Sequence, residues 1–341
     1  YDFLAATTRY VSMQIGLVGV LPMTVAEVYK NKFGDFKSLS FYMRPMLAYC
    51  GIDSYYTYIG VNNRTLIEDF VHPSQTNHAI LQVPLEGETL WLECTNPELP
   101  FGYTHNSIVG EKALVYKDGT AEIVQIDTYP DSLNLYSLNA EITLSADGAA
   151  TGHVNTVRSL YRYERYSRFG SLGERERINR LKSGMDLASI NIENVSCEED
   201  KSGIPSITIG YDVSAPIFGS MTGNRIFVPI NAFRKRSDQR LNCPNHRKSD
   251  VVVGEGYTDR DVISITYPET MQIEAGLAFK ELDSRFGRFE LKMLPLDGQI
   301  IIIREMILYT GRYDREHYAE FKQFIEECDK ATASQLVFTK K

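Results

Sequence analysis

The chain has 341 residues and a formal net charge of −8, with 44 acidic against 36 basic side chains. Its length favours two or more domains, and the acidic balance gives no support to a general nucleic-acid-binding protein, which is usually basic. No stretch approaches the ~20 apolar residues of a transmembrane helix. The chain begins at Tyr1 without Met or a signal-like segment, so we expect a processed chain or a fragment.

Two helices are predicted in the first third of the sequence. Thr24 and Glu27 have the spacing of a capping box, which predicts a short helix running to Lys32. A second helix is predicted from about Ser38 to Cys50, because apolar residues recur there at three- and four-residue spacing. Pro45 lies inside this helix and is expected to kink or weaken it.

Strands follow these helices. The segment 54–60 is rich in Tyr and β-branched residues, which favours a strand. Segments 77–84 and 89–94 predict a hairpin around a Glu-Gly turn, and segments 113–116 and 121–126 predict another around an Asp-Gly turn.

From about Ser132 the pattern changes to many short strands separated by turn signals. This pattern predicts an antiparallel β-sandwich interrupted by one or two helices. One helix is predicted near 172–182, and another is predicted from Asp314, as its N-cap residue, to about Ala331. The predicted strands are 142–145, 153–157, 189–195, 206–213, 225–230, 262–267, 271–275, 288–293, 299–308 and 335–339.

One constellation in the first third carries chemical meaning. A thiol nucleophile works best at a helix N-terminus, with a His to take its proton and an acid to orient that His. The sequence has this frame, because Gly34-Asp35-Phe36-Lys37 precedes the second helix, His78 opens a strand and Glu93 ends the next one. Adjacent strands can bring His78 and Glu93 side by side, since cross-strand Cβ atoms lie ~5 Å apart.

These residues resemble the transglutaminase-like superfamily, which has a papain-type fold, and especially its envelope proteins with a β-sandwich domain of unknown function. The resemblance covers roughly residues 7–130 and implies a core at 1–131, incomplete at its N-terminus, with the β-sandwich at 132–341. The whole is an α+β protein. The matching positions are Arg9-Tyr10-Val11, Pro22, Glu27-Val28, Gly34-Asp35, Lys37, Gly51-Ile52, Asn77-His78, Trp91-Leu92-Glu93, Pro97 and Pro100-Phe101-Gly102.

The departure from the family pattern is Phe36, which stands where the resemblance implies the nucleophilic Cys. His78 and Glu93 match the other two catalytic positions. We therefore expect loss of thiol chemistry and a role in binding or scaffolding, with a peptide, glycopeptide or protein partner. The resemblance also implies a periplasmic or outer-surface location in a bacterial envelope, and no cofactor or metal.

Two other functions stay open at this point. His78 and Glu93 can instead activate water, which would make the chain a peptidase or amidase with altered chemistry. The Tyr-rich composition is alternatively typical of a carbohydrate- or peptide-binding module centred on the β-sandwich.

The cysteines give no independent site. Cys50 and Cys94 are interpreted as small buried residues, Cys94 because strand alternation directs it away from Glu93. Cys243 and His246 have Cys-x-x-His spacing, but a zinc site needs about four ligands and no second pair is nearby. We interpret this segment as a loop.

Two basic segments also stand out. Tyr161, Tyr163 and Tyr166 alternate with arginines, a pattern typical of proteins that bind single-stranded nucleic acid. The negative net charge of the chain argues against that function, so we interpret the segment as a half-exposed strand or the start of a helix. Arg234-Lys235-Arg236, with nearby Arg240, Arg247 and Lys248, is interpreted as a solvated loop, with contact to an anionic glycan, lipid or partner as the alternative.

Overall fold

A computed structural model describes the chain except for residues 14–20, 62–65, 71, 97, 118, 188, 236–240 and 242–246. The described residues divide into two compact units: 1–129 with 201–205, and 130–200 with 206–341. Both are mixed α/β, with mostly antiparallel sheets. No helix within these described ranges is long and apolar enough to cross a membrane.

The first unit contains three helices and seven strands in its described residues. The helices are α1 (Asp2–Thr7), α2 (Val25–Asn31) and α3 (Phe36–Tyr49). The strands are β1 (Arg9–Tyr10), β2 (Phe33–Gly34), β3 (Tyr55–Ile59), β4 (His78–Leu85), β5 (Glu88–Leu92), β6 (Lys112–Lys117) and β7 (Thr120–Gln125).

Helix α3 lies against a five-stranded antiparallel sheet. The strand order is β5-β4-β3-β6-β7, so both predicted hairpins form. Leu39 and Tyr42 on α3 share a buried cluster with Leu81 on β4 and Leu92 on β5, and Leu81 is the cross-strand partner of Leu92. This packing sets the start of α3 beside the start of β4, where His78 lies.

Local sequence determines where α2 and α3 begin. The Thr24 hydroxyl accepts from the Glu27 amide and the Glu27 carboxylate accepts from the Thr24 amide, so the predicted capping box is confirmed. Helix α3 begins at Phe36, two residues before the predicted start, because the Asp35 carboxylate caps it by accepting from the Ser38 amide at 2.9 Å. Pro45 lies inside α3 without ending it.

The second unit contains fourteen strands and three helices in its described residues. The helices are α4 (Tyr161–Glu164), α5 (Glu174–Ser183) and α6 (Tyr318–Thr332), against the one or two predicted. The strands are β8 (Leu135–Leu144), β9 (Ala150–Ser159), β10 (Asn191–Asp200), β11 (Ser206–Ala215), β12 (Ser220–Thr222), β13 (Arg225–Pro229), β14 (Val251–Val253), β15 (Tyr257–Thr266), β16 (Met271–Ala275), β17 (Phe279–Ser284), β18 (Gly287–Leu296), β19 (Gln299–Leu308), β20 (Gly311–Tyr313) and β21 (Gln335–Lys340).

Two sheets of the second unit share one hydrophobic core. The larger sheet has eight strands in the order β10-β11-β9-β8-β15-β19-β18-β17, and the smaller has the order β12-β13-β21-β16. Ile209 and Phe289 from the larger sheet lie in the same buried cluster as Val228 and Phe338 from the smaller one. Helix α6 contributes Phe324 to this cluster. The sequence predicted an antiparallel sandwich, but β8 pairs with β15 in parallel, so the larger sheet is mixed.

Two local predictions are wrong. Cys50 is exposed rather than buried, because α3 ends at Tyr49 and Cys50 follows it as the C-cap residue. Asp314 makes no side-chain capping bond; it precedes a 3-10 turn at Arg315–His317, and α6 begins only at Tyr318. The segment from Tyr161 forms the short helix α4 after β9, which is the second of the two predicted alternatives.

Candidate functional site

The three residues predicted for the site lie together in the first unit. His78 Nε2 lies 2.7 Å from Glu93 Oε2, and the Phe36 ring lies against the imidazole of His78 with the ring centroids 5.3 Å apart. Phe36 is the first residue of α3, His78 the first of β4, and Glu93 follows the last residue of β5. The packing of α3 on the sheet therefore brings three chain segments to one point.

Gly34 and Asp35 make this start of α3 possible. A Cβ atom on Gly34 would lie 2.9 Å from Ser38 Cβ, so a larger residue would push the helix away. Asp35 is fully buried and also forms an ion pair with Lys37, whose ammonium lies 4.4 Å from the centroid of the Phe36 ring. Gly34 and Asp35 thus set the start of α3, and Lys37 contacts the ring of Phe36, the first residue of that helix.

Glu93 is a buried carboxylate with a full set of hydrogen bonds. Its Oε2 atom accepts from His78 and, at 3.0 Å, from His105, and its Oε1 atom accepts from the Thr95 amide and hydroxyl at 2.8 and 2.6 Å. Burial by itself raises the pKa of Glu93, but the hydrogen bonds from His105 and His78 outweigh it and hold the pKa well below its usual range. Glu93 is therefore ionised at neutral pH.

The ionised carboxylate determines the proton positions on His78. A carboxylate only accepts hydrogen bonds, so His78 carries its proton on Nε2 and, when neutral, has an acceptor lone pair on Nδ1. Within the described part of the chain, the structure gives Nδ1 of His78 no hydrogen-bond partner. A base held in this tautomer can take a proton from a neighbouring donor, and Phe36 supplies no donor.

The sequence reasoning missed His105. This buried residue bonds Glu93 through Nε2 and lies 2.8 Å from the Ser107 hydroxyl through Nδ1, so Glu93 bridges two imidazoles. The available signal was weak: His105 follows the Pro100-Phe101-Gly102 turn that comes shortly after Glu93. The backbone carbonyl of Glu93 accepts a further bond from the Tyr1 hydroxyl at 2.7 Å.

The site shows no features of a metal centre. Among the residues that the structure describes, no group of three or more His, Cys, Asp or Glu side chains could hold a metal ion. Both imidazoles point their Nε2 atoms at the same oxygen of Glu93, which is hydrogen-bond geometry. The Cys243–His246 segment and the basic residues Arg236 and Arg240 lie outside the described residues.

Cys94 lies next to Glu93 in sequence but is buried, as predicted. Burial, followed by the charge of Glu93, raises the pKa of its thiol to about 12. A thiol with this pKa is protonated at neutral pH, so Cys94 is a poor nucleophile.

Comparison with known proteins finds similarity to a family model in one part of the chain and to solved structures over nearly all of it. Residues 224–338 match the model of DUF3858, described as a domain of unknown function with a solved structure. A crystal structure of a "putative protease" from Parabacteroides distasonis ATCC 8503 has the same fold, with a TM-score of 0.55 and 12% sequence identity. The match covers 99% of this chain and 50% of that one, so the chain spans half the length of the related structure. No curated protein matches.

Proposed function

We propose that the first unit is a transglutaminase-like, papain-type domain that has lost its nucleophile and acts in binding or scaffolding. The observation that carries this proposal is the Phe36 ring, which occupies the first turn of α3 and lies against His78. In the family that the sequence resembles, a Cys at this position attacks the substrate. Phe has no nucleophilic atom, so acyl transfer through a thiol has no starting group here.

The retained part of the frame supports an origin in a catalytic site. His78 keeps the tautomer that a thiol-activating base requires, and Glu93 holds it there. The start of a helix also favours a thiolate through the positive end of the helix dipole. A structural role for Glu93, which bridges His78 and His105, explains why these residues persist without a nucleophile.

The proposed partner is a peptide, a glycopeptide or a protein of a bacterial envelope. The motivation is the resemblance to envelope proteins, together with the similar fold of a protein described as a putative protease. The second unit, in which two sheets share one core, is proposed as the β-sandwich domain of such a protein. Binding without turnover would make the protein a scaffold or an adaptor.

One observation favours a second function, hydrolysis by a water molecule that His78 activates. Nδ1 of His78 has no partner among the described residues, and the Glu93 carboxylate fixes the tautomer in which this atom can accept a proton. This peptidase or amidase function needs no thiol. It does require a water molecule beside a ring that Phe36 already covers on one side.

The test measures casein hydrolysis and the incorporation of a fluorescent amine into casein, with and without iodoacetamide. We expect no turnover by the wild-type protein, because it has no nucleophile at position 36. Turnover that iodoacetamide abolishes would contradict the proposal. Turnover that resists iodoacetamide but disappears in His78→Ala, and not in the control His153→Ala, would establish the hydrolytic alternative. His153 is an exposed histidine of the second unit.

A further inference from the structure

A cationic cleft lies in the second unit, and its residues play no part in the proposed function above. The cleft has a volume of about 450 Å³, which suits a small organic molecule. Its wall contains basic side chains and aromatic rings, and no acidic residue among those that the structure describes. The basic residues on the wall are Arg158, Arg162, Arg165, Arg234 and Lys235.

The two basic segments noted in the sequence meet in this cleft. The segment after β9 supplies Arg162 and Arg165, and the segment after β13 supplies Arg234 and Lys235. Arg158 comes from β9 itself, where Tyr136 on β8 is its cross-strand partner. The segment predicted as a half-exposed strand or the start of a helix and the segment predicted as a solvated loop therefore contribute to one concave surface.

Arginine side chains and tyrosine rings alternate along the wall. Tyr136 lies between Arg234 and Arg158, whose guanidinium carbons are 4.0 and 4.7 Å from its ring centroid. Tyr166 lies between Arg158 and Arg180, at 4.1 and 4.7 Å. This arrangement holds the guanidinium groups in fixed positions through cation–π contacts, so an incoming anion meets donors that are already ordered.

The cations of the cleft are only partly neutralised. Asp259 pairs with Arg162 and Arg234, and Asp261 pairs with Arg234 and with Arg304 behind the wall. A third carboxylate, that of Glu255, pairs with Arg165. Six cationic side chains, including Arg158 and Lys235, thus have three carboxylates among them.

Arg158 is the strongest indication of a ligand. Its side chain is buried, with 6% exposed, and its one hydrogen bond to another described residue goes to the Thr156 hydroxyl at 2.6 Å. No carboxylate in the described ranges forms an ion pair with it. A guanidinium has five donors, and burial of this charge without a counter-ion is unfavourable. Lys235 is exposed at the same cleft and likewise has no ion pair among the described residues.

We propose that this cleft binds a small organic anion with at least two negative charges, carried on carboxylate or phosphate groups. The guanidinium fork matches both groups with paired hydrogen bonds. Two charges correspond to the two cations, Arg158 and Lys235, that have no carboxylate partner among the described residues. The cleft is too small for a folded protein partner, and the acidic total of the chain does not attract nucleic acid.

Isothermal titration calorimetry of the full chain at low salt tests this proposal with citrate, glucose 6-phosphate and glucose. We expect saturable binding of one of the two anions, no binding of glucose, and weaker binding as salt is added. The preferred anion distinguishes a carboxylate from a phosphate ligand. The absence of binding by both anions at millimolar concentration would overturn the proposal, as would binding of a single-stranded oligonucleotide alone.

Variants locate the binding to the cleft. Lys235→Gln removes an exposed charge and leaves the core intact, and we expect it to raise Kd about tenfold. Arg158→Met keeps the apolar stem of the side chain and should abolish binding. Arg260→Gln is the matched control, because Arg260 is an exposed residue of β15 on the opposite face from Asp259 and Asp261. An unchanged Kd in Lys235→Gln and in folded Arg158→Met would overturn the assignment.

Discussion

Replacement of Glu93 by Ala tests whether the bridge between the two imidazoles stabilises the first unit. The side chain is buried and its two oxygens accept four hydrogen bonds, from His78, His105 and twice from Thr95. Removal of the carboxylate leaves these donors without an acceptor inside the protein. Loss of one member of a buried charged network costs about 3–5 kcal/mol, so we expect a decrease of this size in the free energy of unfolding.

Urea denaturation monitored by tryptophan fluorescence measures this change in one unit of the protein. Trp91 is the single tryptophan of the chain and is buried in the first unit, two residues before Glu93. The control is Glu122→Ala, because Glu122 is an exposed glutamate of the same unit that pairs with Lys117. We expect the control to unfold at nearly the wild-type urea concentration. A loss below about 1 kcal/mol in Glu93→Ala would refute the reasoning.

The remaining predictions concern pH, capping and thiols. Folding lowers the pKa of Glu93, so the stabilisation by its ionised carboxylate is complete above pH 4.5 and decreases below that pH. The difference in the free energy of unfolding between wild type and Glu93→Gln should therefore become smaller as the pH falls. Urea denaturation at several pH values measures this difference. Asp35→Ala should cost at least about 2 kcal/mol, because it removes the cap of α3 and leaves buried Lys37 without its partner. Ellman's reagent should react with exposed Cys50 in the native protein, but with Cys94 only after unfolding.

The elements that could be predicted are those whose signals are local. The capping box at Thr24 and the two hairpins of the first unit depend on residues a few positions apart, and the structure has them. The approach of His78 to Glu93 followed from the pairing of neighbouring strands, which is also a short-range relation. The role of these residues in the function stays a prediction.

The features that could not be predicted depend on distant parts of the chain. The parallel pairing of β8 with β15 joins segments more than a hundred residues apart, and no local pattern encodes it. His105 joins Glu93 only because the chain turns back after β5. The exposure of Cys50 depends on where α3 ends, and helix ends are among the least certain features of a sequence pattern.

The cationic cleft shows the same difference between local and distant information. Each basic segment was visible in the sequence, but a lone basic segment is most often a solvated surface. In the fold, the chain from β9 through α4 and the chain after β13 come together around Tyr136 of β8. This places the arginines of both segments on one wall. Their convergence depends on the sheet order of the second unit, which the sequence pattern did not contain.

The alkylation rate of a thiol introduced at position 36 tests the central claim most directly. The variant Phe36→Cys is treated with iodoacetamide over a range of pH, and mass spectrometry separates its label from that on Cys50, an exposed reference at the other end of α3. If the catalytic arrangement of His78 and the start of α3 is retained, the pKa of the Cys at position 36 should lie at least about one unit below the usual 8.5. In the double variant Phe36→Cys/His78→Ala, this pKa should return toward 8.5. A pKa at or above 8.5 that His78→Ala leaves unchanged would contradict the claim that this is a catalytic frame without its nucleophile.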